Sequence, residues 1–161
     1  MAKSVVASIV GSRLDYCNGL LHGATAKNIR KLQLVQNTAA RVVNLSRRRD
    51  HIKPILKSLH WLPVKERITV KLATTVFKVL SCSEPPYLRE LLNDYNPTRR
   101  LRSSHKQLLT VPACHTSIAS RAFSVSAPVL WNSIDLDLKQ SDSVASFKRN
   151  IKTRLFESYF G

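Results

Sequence analysis

The chain has 161 residues, the length of one domain with little room for a second. Lys and Arg number 26 against 10 Asp and Glu, a formal charge of +16, while 43% of residues are hydrophobic, too many for a disordered polycation. The combination describes a small, folded, basic body that attracts phosphate backbones or anionic lipid, and apolar runs of only a few residues exclude a membrane-spanning helix.

Along residues 1–22, Val6, Ile9, Val10, Leu14, Cys17 and Leu21 recur at spacings of three and four, which predicts an amphipathic helix. Lys3 ahead of apolar residues faintly resembles a signal peptide, but Ser8 interrupts the stretch and Gly11-Ser-Arg13 continues it as helix. Asn18-Gly19 and His22-Gly23 then break it. Thr25 is placed to cap a second helix, with Ile29, Leu32, Val35, Ala39 and Val42 along one stripe and Ser46-Arg47-Arg48-Arg49 at its end. Asp50 is placed to cap a third, bearing Ile52, Ile55, Leu56 and Leu59. Pro63 suits the first turn of a fourth, which repeats Val64, Ile68, Leu72, Val76 and Val79 until Pro85-Pro86. Tyr87 to Leu92 adds a helical turn or two, and residues 93–106 read as a loop. Gln107 to Val111 has the pattern of a short strand bounded by Pro112, while Thr116 to Val125 fits strand and helix equally. Pro128 restarts a helix through Trp131, and Ser141 or Ser143 opens the last one, with Val144, Phe147, Ile151, Leu155 and Tyr159 in register. The expected fold class is mainly α: a bundle of about five to six helices, with a small β-hairpin allowed in the last third.

Catalytic patterns are absent. Neither the P-loop nor the dinucleotide fingerprint occurs, and the chain has only four glycines. Two-metal nucleotidyl transfer needs converging carboxylates, whereas the acids here are scattered, and Asp135-Leu-Asp137 reads as a solvated turn before a helix. Cys114-His115 are neighbours whose side chains diverge on extended backbone. His51 and His60 lack a ligand spacing and read as cap or packing residues. Cys17, Cys82 and Cys114 are odd in number and far apart, which suits unpaired thiols in a reducing compartment, nucleus or cytoplasm. No catalytic residue, metal site or cofactor is expected.

The basic segments are more telling. No acid occurs from Tyr16 to Arg49, where Lys27, Arg30, Lys31, Arg41, Arg47, Arg48 and Arg49 accumulate. On the second helix the cations lie off the apolar stripe with Gln33, Asn37 and Thr38 for company, so Lys and Arg would track phosphates while Gln and Asn contact sugar or base. A second patch, Thr98 to Lys106, holds Arg99, Arg100, Arg102 and Lys106, and a third places Lys148, Arg149, Lys152 and Arg154 on the final helix. Any one patch alone is as readily a solvated face. Three of them on a chain of this charge point to an RNA or DNA backbone, bound without sequence preference. A membrane surface is the competing polyanion, set aside because the apolar stripes have core spacing. Trp61 and Trp131, each beside leucines and a proline, read as core anchors rather than base-stacking platforms.

Longer strings add a resemblance. Ser12-Arg-Leu-Asp-Tyr-Cys-Asn18, Leu32-Gln33, Val35-Gln36-Asn37, Ala39-Ala40-Arg41, Leu59-His-Trp-Leu-Pro-Val64, Pro86-Tyr-Leu88, Leu101-Arg-Ser-Ser104, Arg121-Ala-Phe-Ser-Val125 and Leu130-Trp-Asn-Ser133 occur in order over nearly the whole chain. They resemble the region that follows the palm in reverse transcriptases of LINE-type (non-LTR) retrotransposons, the jockey-like and chicken-repeat-like branch. The resemblance implies a thumb-like helical pair over 1–48, a helical segment with the His-Trp-Leu-Pro corner over 49–95, and a basic loop, hairpin and C-terminal helix over 96–161. It also implies a thumb's grip on template–primer duplex and a missing palm as a partner. RNA-directed DNA synthesis does not follow, because the chain has no Asp-Asp. Departures fall at turns: Ala113-Cys114 and Ala119-Ser120, Ile134-Asp135, and Ser81 to Glu84 stand where the family usually has Arg and Gly-Asp or Gly-Glu, Leu-Pro, and Gly. The expectation is a non-catalytic C-terminal fragment of such a polymerase that binds RNA or DNA backbone. The alternatives are a protein-interaction module docking on a palm or host partner, or a translated relic without selected function.

Overall fold

The computed structural model describes residues 2–97 and 106–161. Among them are eight α-helices: α1 (Ala2–Asp15), α2 (Ala26–Asn44), α3 (Ile52–Ser58), α4 (Val64–Cys82), α5 (Pro86–Arg89), α6 (Phe123–Ser133), α7 (Leu136–Lys139) and α8 (Val144–Phe160). Single 3-10 turns occupy Asn18–Leu21 and Ala119–Arg121, and α5 and α7 are themselves only one turn long. The fold is mainly α, as the periodicity predicts. The chain forms two compact units, Met1–Thr69 with Lys152–Gly161, and Val70–Ile151, so the boundaries fall within α4 and α8.

In the first unit α1 packs on α2 and α2 on α3. The expected stripe of α1 is packed only in part: Val10 and Leu14 are half-buried, Ile9 is exposed, as is Cys17 beyond the helix end, and Val6 lies outside the described side chains. The apolar residues of the helix spread over more than half of its circumference, so spacing alone cannot choose a single face. The stripe of α2 is turned by one position. Gln36 and Val43 go inside with Ala39 and Ala40, whereas Val35 and Val42 are 53% and 58% exposed. Gln36 tolerates burial because its Nε2 donates to the Leu62 carbonyl (2.8 Å) and its Oε1 accepts from Gln33 Nε2 (3.0 Å). Gln33 Nε2 also donates to Asn37 Oδ1 (2.8 Å), and Gln33 Oε1 accepts the Val64 N–H (2.9 Å). Val64 begins α4, so a side chain of α2 satisfies one of the amides that a helix start leaves open. Beside this network Ala40, Ile55, Leu56 and Phe160 form a buried cluster, closed by Ile52, Leu59, Trp61 and Phe156. His60 stacks on Phe156 at 5.7 Å, and Trp61 fills the corner between α3 and α4. Asp15 and Arg67 form a two-pronged ion pair from α1 to α4, with Arg67 Nε donating to Asp15 Oδ1 at 2.8 Å.

Two expected caps act differently. Thr25 precedes α2, but its backbone carbonyl, not its hydroxyl, takes the Asn28 and Ile29 N–H groups. Asp50 does not cap α3, whose cap position is His51. Its carboxylate instead accepts the Arg47 N–H (2.7 Å), closing the arginine turn.

The second unit is built on aromatic rings. Phe77 of α4 stacks on Phe147 of α8 at 4.3 Å, and Trp131 of α6 lies 6.4 and 6.3 Å from the two. Val76, Val79, Leu92, Leu109 and Ile151 are buried with them. The small hairpin expected near Gln107–Val111 does not form among the described residues; only an isolated antiparallel bridge joins Asp94 and Leu109. Asn132 explains it: its amide accepts from the Leu109 N–H (2.9 Å) and donates to the Leu109 carbonyl (2.8 Å). One side chain thus takes both backbone groups that a second strand would need. The ambiguous stretch Thr116 to Val125 is neither a strand nor one helix: a turn leads into the 3-10 turn Ala119–Arg121, and only its last three residues belong to α6. α6 starts at Phe123, so Pro128 sits inside it rather than at its start. Ser143 caps α8, its hydroxyl accepting the Ser146 N–H (3.1 Å).

Candidate nucleic-acid interface

At 100° per residue the buried line of α2 leaves an opposite face carrying Lys27, Arg30, Lys31, Leu34, Val35, Thr38 and Val42. Lys27, Arg30 and Lys31 are exposed there within little more than one turn. Arg41 is half-buried and reaches back to the Asp50 carbonyl (3.2 Å), with its Nε enclosed and without a hydrogen-bond partner. Its position ties the end of α2 to the following turn. That turn holds Arg47, Arg48 and Arg49, all exposed, around the single carboxylate of Asp50.

The polar residues expected to touch sugar or base are engaged elsewhere. Gln33 and Asn37 belong to the internal network under the Leu62–Val64 corner, and Thr38 donates to the Leu34 carbonyl (3.0 Å). The face therefore offers charge without an amide to read a base edge. Its other members are apolar: Leu34 is 56% exposed, and Val35 and Val42 are comparably open. Sequence spacing hid this, because Val35 and Val42 sit within one position of the true stripe.

Of the second patch, Arg99, Arg100 and Arg102 lie outside the described residues. Lys106 is exposed at the end of that segment, and its carbonyl accepts from Lys139 Nζ (3.1 Å). Of the third patch, Lys148 and Arg149 are exposed on the part of α8 in the second unit, and Lys152 and Arg154 on the part in the first.

Among the described residues no group of three His, Cys, Asp or Glu side chains is disposed to hold a metal ion. Cys17, Cys82 and Cys114 are free and exposed, as is His115, and Asp135 and Asp137 are exposed at the start of α7. No helix of the described residues is long and apolar enough to cross a membrane. No family model matches the chain, and neither a curated protein nor a solved structure matches it.

Proposed function

We propose that the chain is a non-catalytic module that holds the sugar–phosphate backbone of RNA or DNA without reading sequence. The observation that carries this is the α2 face, where Lys27, Arg30 and Lys31 stand exposed and are followed by the exposed Arg47–Arg49 turn, with no acid between Tyr16 and Arg49 in the chain. Ammonium and guanidinium groups on a fixed helix bind phosphates by charge and displace condensed counterions. The internal engagement of Gln33 and Asn37 supports the non-specific form of the reading. The ordered strings that resemble the post-palm region of LINE-type reverse transcriptases support a thumb-like origin, as part of a polymerase whose palm would be the natural neighbour.

A filter-binding salt titration on duplex DNA and on an RNA–DNA hybrid tests the binding. The logarithm of affinity should fall linearly with that of salt, and Lys27→Gln, Arg30→Gln and Lys31→Gln together should reduce the slope by about 3. Affinity undetectable at low salt overturns the proposal.

A second reading, a protein-interaction module, is favoured by Leu34, Val35 and Val42 lying open between the cations. It expects self-association of the isolated chain, so a clean monomer by light scattering counts against it.

A further inference from the structure

Between the cations that open α2 and the arginine turn that follows it lies a segment that phosphate binding does not use. Leu34, Val35, Val42 and Leu45 are all exposed there, spanning about 16 Å along the helix axis. The core spacing that argues against a membrane surface therefore fails for this helix, because Val35 and Val42 belong to the predicted stripe yet lie outside. The polar residues within the segment are turned away from it. Thr38 donates its hydroxyl to the Leu34 carbonyl (3.0 Å), and Arg41 reaches back to the Asp50 carbonyl (3.2 Å). Covering the face would thus leave the Thr38 hydroxyl hydrogen-bonded.

Leu45 is the least expected member. It ends α2 at φ 51°, in the left-handed region that strains a residue with a Cβ. It is also almost fully exposed, so packing within the fold does not offset the strain. A leucine gains at this position only when something outside the fold covers it.

Cations bracket the segment at both ends. Lys27, Arg30 and Lys31 are exposed before it, and the exposed arginine turn follows it, with no acid in the chain from Tyr16 to Arg49. On a lipid surface the long stems of Lys and Arg carry their charge to the headgroup phosphates while neighbouring aliphatics enter the acyl boundary. A nucleic-acid backbone uses the cations and leaves the aliphatics in water. Protein interfaces concentrate their energy in Trp, Tyr and Arg seated in pockets, whereas this segment is aliphatic and lies on a convex helix.

We infer that α2 docks on an anionic lipid surface, lying along it with Leu34, Val35, Val42 and Leu45 in the acyl boundary and its two cationic ends on headgroup phosphates. The inference shares its cations with the backbone reading but rests on the aliphatic segment, which that reading leaves unused.

Cosedimentation of the whole chain with phosphatidylcholine vesicles, with and without about 30% phosphatidylserine, tests it. Affinity for the anionic vesicles should be at least about tenfold the higher. Leu45→Gly, which relieves the strain and so keeps the fold, should weaken anionic-vesicle binding about tenfold, as should Leu34→Ser with Val42→Ser. Affinity for duplex DNA should be unchanged in these variants, which separates this inference from backbone binding. No binding to anionic vesicles, or equal binding to both kinds, overturns the inference. Vesicle affinity unchanged by Leu45→Gly and by the serine pair means adsorption by charge alone and also overturns it. Duplex affinity that falls as far as vesicle affinity assigns the segment to nucleic acid instead. A wild-type dimer that the serine pair converts to a monomer, read by light scattering, assigns it to a second copy of the chain; either result overturns the lipid assignment.

Discussion

Gln33 shows how one side chain can serve two elements. Its amide oxygen accepts the Val64 N–H at the start of α4, while its nitrogen donates to Gln36 and Asn37. Gln33→Ala should therefore strand a part-buried amide and cost about 1–3 kcal/mol in urea unfolding, whereas removal of the neighbouring Lys31 should have little effect on stability. His22 makes the opposite kind of residue-scale statement. Its Nδ1 is buried without a hydrogen-bond partner, and burial lowers its pKa from 6.5. Above pH 6.5 the ring is neutral folded and unfolded, and its contribution is fully present. As pH falls the unfolded chain takes the proton first, so stability declines until the pH passes below the lowered folded value. His22→Gln should flatten that part of the acid limb, as read from unfolding free energies at a series of pH values; an unchanged difference between the proteins across it would refute the assignment.

At the scale of the element, α2 ends on Leu45 in the left-handed region (φ 51°), with the Ser46 N–H bonded to the Arg41 carbonyl (3.0 Å). Glycine is the residue that usually stands there, since a Cβ is strained at that φ. Leu45 is 91% exposed, so its side chain contributes little packing. Leu45→Gly should raise stability by about 1 kcal/mol, measurable as a higher urea midpoint. Elements also show where periodicity suffices. The α4 residues Val64, Ile68, Leu72, Val76 and Val79 are all buried, as their spacing demands. In α2 the same rule missed by one position, because Gln36, with two hydrogen-bond partners, takes a core site that composition would give to valine.

For the whole molecule, a formal charge of +16 is a cost as well as a means of attraction. Like charges on a compact body repel one another, and salt screens them within about 10 Å at 0.1 M. The melting temperature should accordingly rise between low and moderate sodium chloride, while affinity for nucleic acid falls over the same range. A melting temperature that falls with salt would mean that local ion pairs such as Asp15–Arg67 outweigh the general repulsion. Charge also bears on how much of the interface was legible beforehand. The cations of α2 and the arginine turn were visible as a run without acids, since charge is a property of composition. The availability of Gln33 was not, because its bond with the Val64 N–H depends on a residue 31 positions away, and Asn37 is engaged through Gln33.

Several strings behind the family resemblance supply fold-building contacts: Asp15 pairs with Arg67, Gln33 and Gln36 hold the corner before α4, and Trp131 and Asn132 hold the Gln107–Leu109 backbone. By itself the sequence determined the helical class, the α4 stripe and the sign and location of the charge, because periodicity and ionisation are local properties. Only the tertiary structure decided which face of α2 is wet, why no hairpin forms among the described residues, and that Lys139 is buried. Each of those rests on a partner distant in the chain satisfying, or failing to satisfy, a polar group removed from water.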